Sequence, residues 1–93
     1  MPENARVLLK IHGRVQGVFF RDSAQKKAQA LNLTGWVGNN SDGTVEIVAE
    51  GNKEKLQEFI DWCQQGSEAA QVSKIETDWQ KSQAEFNDFL IQY

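Results

Sequence analysis

Arg6-Val7-Leu8-Leu9-Lys10-Ile11-His12, then Gly13-Arg14-Val15-Gln16-Gly17-Val18-Phe19, then Phe20-Arg21-Asp22-Ser23-Ala24 are the three consecutive runs that decide the fold. The first alternates, placing Val7, Leu9 and Ile11 on one face of a strand. The third opens a helix predicted from about Phe20 to Asn32, with Phe20, Ala24, Ala28 and Leu31 as its apolar stripe. Between them lies a glycine-bearing connection.

Working outward, Gly35–Asn39 and Thr44–Gly51 read as two strands joined by a turn at Asn40-Ser41-Asp42-Gly43, because Asp-Gly supplies positive φ cheaply. In the second of these strands Val45, Ile47 and Ala49 are expected in the core, with Glu46, Val48 and Glu50 outward. Leu56, Phe59, Ile60 and Cys63 have the spacing of one helix face, so a second helix is predicted from about Lys53 to Gln65, with Gly66 ending it. Val72–Trp79 reads as a fourth strand, whose Val72/Ile75 offset marks a bulge. Phe89, Ile91 and Tyr93 alternate as a short final strand, after a polar surface loop. The order β-α-β-β-α-β plus a short C-terminal strand predicts an α+β, ferredoxin-like split βαβ fold: an antiparallel sheet with two helices on one face, in a single domain spanning residues 1–93. That architecture hosts many activities and names none.

Composition narrows the function. The 40% apolar fraction can supply one core, and a single cysteine and a single histidine leave too few ligands for a structural metal. A net charge of −3 with scattered basic residues argues against a nucleic-acid partner, which calls for a basic stripe. No stretch approaches the ~20 apolar residues of a membrane span. Met1-Pro2-Glu3-Asn4 has no signal-peptide character, and with the lone thiol this gives a cytoplasmic expectation.

The glycine-bearing run carries the chemistry. Gly13 and Gly17 let backbone approach a ligand closely. A loop curling into a helix start directs successive N–H groups at one point, where the helix dipole adds partial positive charge. Arg21, in the first helical turn, offers a permanently charged fork matched to phosphate. Neither G-x-x-x-x-G-K-[ST] nor G-x-G-x-x-G is present. On the residues alone, an ordinary glycine-containing connection with a solvated arginine is the favoured reading, and Asn39 reads first as a hairpin-turn residue.

The run GRVQGVFFR, however, resembles the acylphosphatase signature G-x-V-Q-G-V-x-F-R at every defined position. Downstream, GWVGNNSDGTVE resembles that family's second signature, G-W-V-x-N-x-x-D-G-x-V-E, and Phe89-Leu90-Ile91-Gln92-Tyr93 is similar to its usual ending. The resemblance covers nearly the whole chain. It implies a hydrolase of the carboxyl–phosphate anhydride of acyl phosphates, with Arg21 binding phosphate and Asn39 positioning the attacking water. Backbone amides of Val15, Gln16, Gly17, Val18 and Phe19 would line the cradle. No metal or cofactor is implied. Inorganic phosphate is expected as product and competitive inhibitor, and the enzyme is expected as a monomer.

A neutral carboxamide suits Asn39 to this task, because an Asp there would repel a phosphate dianion. Other residues carry blander expectations. His12 is a sheet-face residue without an evident partner, and Cys63 a buried small hydrophobe. Trp36 and Trp79 are read as packing residues, and Trp62 as lying off its helix stripe. Glu46, Glu50, Asp61 and Asp88 are read as solvated charge. Arg14 occupies a variable position of the signature. Gly38 stands where the family often has a longer residue. Gly66-Ser67 replaces a common Gly-Pro, at a helix exit expected to lie far from the site. Two alternatives stand beside the hydrolase: a non-catalytic phosphate/anion-binding module on the same fold, and an RNA-binding domain, which lacks its required aromatic motif in Thr44–Gly51.

Overall fold

The computed structural model describes residues 3–92, so Tyr93 of the expected final strand and Met1-Pro2 lie outside the described residues. The elements are β1 (Asn4–Arg14), α1 (Phe20–Ala30), β2 (Thr34–Asn39), β3 (Val45–Asn52), α2 (Lys53–Cys63), β4 (Gln71–Gln80) and β5 (Phe89–Gln92). They form one sheet of order β4-β1-β3-β2-β5. β1 pairs antiparallel with β3 and β4, and β2 antiparallel with β3. β5 joins β2 in parallel, so the expected antiparallel sheet is mixed at that edge. The reason is geometric: residues 81–88 cross one end of the sheet from its β4 edge to its β2 edge, and the chain reverses direction on entering β5.

Both helices pack on the face built by Val7, Leu9, Ile11, Val37, Val45, Ile47 and Ala49, all buried. Against it α1 sets Phe20, Ala24 and Ala28, and α2 sets Leu56, Phe59, Ile60 and Cys63. Phe89 enters the same core edge-on to Phe59, with ring centroids 5.9 Å apart; a fully buried Phe of this kind contributes about 1.5–3 kcal/mol. α1 stops before the predicted Asn32 because the chain turns left-handed there: Asn32 has φ 59°, its N–H bonds Gln29 O and the Leu33 N–H bonds Ala28 O. Those two bonds are a Schellman ending, with Asn in the position usually held by Gly. The bulge expected in β4 is present: the register passes from His12↔Lys74 to Gly13↔Val72, skipping Ser73.

The helix-free face departs from expectation at Val48 and Glu50, both predicted outward and both buried (5% and 3% exposed). Glu50 is not solvated charge. Its carboxylate accepts from the N–H of Gln83 (2.9 Å) and of Glu85 (3.3 Å) and pairs with Arg6 at 3.4 Å. Arg6 also pairs with Glu85 at 3.0 Å and lies over the Phe86 ring. A carboxylate withdrawn from water needs such partners, and here they strap the 81–88 crossing onto the sheet. Asp61 and Asp88 are exposed, as expected.

Candidate active site

β1 and β2 run in the same direction on either side of β3, so their carboxyl ends share one edge of the sheet, and α1 starts from that edge. Ile11 and Asn39 both pair with Val45, which puts Ile11, Val45 and Asn39 in one row across three strands. Paired residues share a face, and Ile11 and Val45 are buried under the helices. Asn39 therefore stands on the helix side of the sheet, exposed, one step beyond the core.

The connection from β1 to α1 is held by its alternate residues. Val15 and Val18 are buried, while Gly17 and Phe19 face solvent. Gly13 has φ +123°, and a Cβ there would fall 2.1 Å from Gln71 O, so only glycine lets β4 pass this close. Gly17 (φ +73°) and Phe19 (φ 63°, ψ 22°) turn the chain into the helix through left-handed conformations. Phe19 occupies the cap position of α1 and makes no side-chain cap hydrogen bond. The first turn of the helix thus receives no acceptor from its own cap side chain, and a helix start is where an anion is favoured. Val15, Gly17, Phe19, Phe20, Arg21 and Asp22 line a depression of about 310 Å³ there. Of the residues singled out from sequence, Val15, Gly17, Phe19 and Arg21 meet in this depression. Gln16, Val18 and Asn39 are not part of its lining.

Two of those three do other work. The Gln16 side-chain amide donates to Asn40 O (2.7 Å) and Thr44 O (2.9 Å), tying the loop to the turn that follows Asn39. Val18 O accepts from the buried Ser67 hydroxyl at 2.6 Å. The helix exit at Gly66-Ser67 is therefore not remote from the site: Ser67 holds the loop, and a Cβ on Gly66 would sit 2.5 Å from the Phe20 ring. Nothing in the sequence pattern pairs Ser67 with Val18, since the contact joins residues 49 apart.

The β2–β3 turn is itself locked. Asp42 accepts from the Thr44 hydroxyl (2.6 Å) and N–H (3.0 Å), and Asn40 Nδ2 donates to Thr44 Oγ1 at 3.0 Å. The Thr44 hydroxyl, then its N–H and the nearby Lys10 ammonium (3.2 Å) hold the Asp42 carboxyl well below the usual carboxylate range. Gly43 supplies the positive φ expected of Asp-Gly.

The remaining candidates separate from the site. His12 does have a partner, Glu76 at 2.7 Å on the helix-free face, and this hydrogen bond lowers the Glu76 pKa. Burial pushes the Cys63 thiol up, which keeps it protonated and unreactive. Trp62 packs between Phe20 and Phe59, with centroids 5.6 and 6.1 Å away. Trp79 is no packing residue: it is 39% exposed, with Lys53 over its ring.

A helix start without a side-chain cap, left-handed loop residues and an arginine thus meet at the carboxyl ends of β1 and β2 on a ferredoxin-like sheet. The acylphosphatase family model matches residues 7–91. The acylphosphatase of Pelotomaculum thermopropionicum is 44% identical over 89 residues, covering 96% of this chain and 97% of its own. That of Pyrobaculum islandicum is 46% identical over 90 residues, covering 96% and 95%. The crystal structure of acylphosphatase from Bacillus subtilis superimposes with a TM-score of 0.93 at 38% identity, covering 96% of this chain and 99% of that one. The chain belongs to the acylphosphatase family and is a hydrolase of that class.

Proposed function

We propose that this enzyme cleaves acyl phosphates by holding the phosphoryl group on Arg21 and the backbone amides of Val15, Gln16, Gly17, Val18 and Phe19, while Asn39 orients the attacking water. The observation that carries this reading is the uncapped start of α1, opening beside Arg21 at the sheet edge where β2 delivers Asn39. An acyl phosphate has a good leaving group, so position and charge stabilisation supply most of the acceleration. The water oxygen bonds to phosphorus as the bond from phosphorus to the carboxyl oxygen breaks. That electron pair leaves with the carboxylate, and the water proton passes to a phosphoryl oxygen. The Gln16 bridge to Asn40 O and Thr44 O fixes the distance between cradle and water.

The proposal covers residues 1–93 as one domain, acting as a cytoplasmic monomer with its only thiol, Cys63, free and buried. Inorganic phosphate, as product, competes for the cradle. The test is benzoyl phosphate hydrolysis in EDTA. Wild type turns over undiminished, and Asn39→Ala loses about 10²- to 10³-fold in kcat, the scale of one removed transition-state donor, while phosphate still inhibits. Equal rates in the two proteins would sink the assignment of Asn39. Phosphate binding with no turnover in wild type would favour a non-catalytic module.

A further inference from the structure

We propose that Phe19 and Asp22 form the acyl side of the site and select apolar, uncharged acyl groups over those bearing a second anionic group. This rests on the phosphate reading of the loop and goes one step past it, to the substrate class.

Phe19 is 75% exposed. Among the described residues, the two other large apolar side chains that are exposed lie away from the site, Leu90 on the helix-free face and Trp79 beneath Lys53. The Phe19 backbone is also left-handed, at φ 63°. A non-glycine residue there costs on the order of 1 kcal/mol or more, and Gly or Asn would sit more easily. An exposed aromatic ring thus occupies a strained position at the rim of a catalytic depression, where it stabilises nothing in the core. A ring so placed offers an apolar face to whatever enters.

The depression has room for more than a phosphate. Its 310 Å³ far exceeds the ~10–15 Å³ that one water needs on the same measure. In-line displacement puts the leaving carboxyl oxygen opposite the attacking water. Asn39 is absent from the lining, whereas Phe19 and Asp22 belong to it. The acyl group therefore leaves along the wall they make. Asp22 is exposed, in the first turn of α1, and sets a negative charge where a dicarboxylic or phosphorylated acyl chain would bring a second one.

The test uses kcat/KM ratios, with acetyl phosphate as the internal reference in every variant so that changes common to all substrates cancel. Phe19→Ala lowers the benzoyl-to-acetyl ratio by about two- to tenfold, the value of an aromatic contact, and Phe19→Tyr retains it. Asp22→Asn raises the succinyl-to-acetyl ratio about threefold at low salt, as expected for unit charges ~6 Å apart in water, and less at ~1 M salt. Ratios unmoved in both variants, with phosphate still inhibiting wild type, overturn the acyl subsite alone. Failure of phosphate to inhibit wild type overturns the cradle reading beneath it.

Discussion

At the start of α2, the Asn52 side chain accepts hydrogen bonds from the N–H groups of Glu54 (2.9 Å) and Lys55 (3.3 Å). At the start of α1, Phe19 offers no acceptor, and the chain enters the helix from a left-handed turn. The two helices have equal length and pack on the same sheet face, yet one terminus is closed by its own side chain and the other faces a depression. A side-chain cap stabilises a helix start, and its absence leaves the positive end of the helix for other acceptors. The difference between them separates a helix start used for folding from the one proposed above for chemistry.

The sharpest way to break that comparison is Arg21→Gln. Loss of a charged hydrogen-bonding group should weaken phosphate inhibition about 10- to 100-fold, read from competitive inhibition of benzoyl phosphate hydrolysis. Phosphate at ~100 times its Kd should stabilise wild type by about 2.7 kcal/mol. The same stabilisation is expected in Asn52→Ala, because that change touches only α2. The Asn52→Ala protein should itself be about 1 kcal/mol less stable, seen as a Tm lower by roughly 4–8 °C, with kcat unchanged. An altered kcat there would mean that the two helix starts are not separable. Ser67→Ala leaves the buried Val18 carbonyl without its donor, and should cost about 1 kcal/mol in chemical denaturation.

The smallest effect concerns the turn after Asn39. Asp42 has a depressed pKa in the folded protein, so its contribution is complete above the ordinary carboxylate pKa. It is lost as pH falls through the folded value. Acid titration followed by nuclear magnetic resonance should find Asp42 still ionised well below the usual carboxylate range. Asp42→Asn should flatten the acid limb of the stability curve.

Most of the fold was legible because period-2 and helical stripes report one buried face directly, as Val7, Leu9 and Ile11 do. What escaped the sequence was contact between distant segments. Glu50 alternates outward and is buried only because residues 81–88 return across the sheet and supply its donors. Ser67 looked like a neutral replacement of proline until its hydroxyl met Val18. At the site, the residue types were readable from the signatures, and Arg21 lies in the depression with its loop. The Gln16 side-chain bridge was not readable, since no local rule aims a glutamine at two carbonyls beyond β2.

β5 has a consequence for how the enzyme comes into being. It lies outside β2, the strand that ends in Asn39, and pairs with it along Gly35–Gly38. A polypeptide is made from its amino end, so the segment carrying Arg21 leaves the ribosome long before residues 89–92 are synthesised. Until they arrive, β2 is a raw sheet edge open to the wrong neighbour, and the Phe89 position in the core is empty. The strand that carries Asn39 is made long before its outer neighbour, so its outer edge is closed only once residues 89–92 have been added.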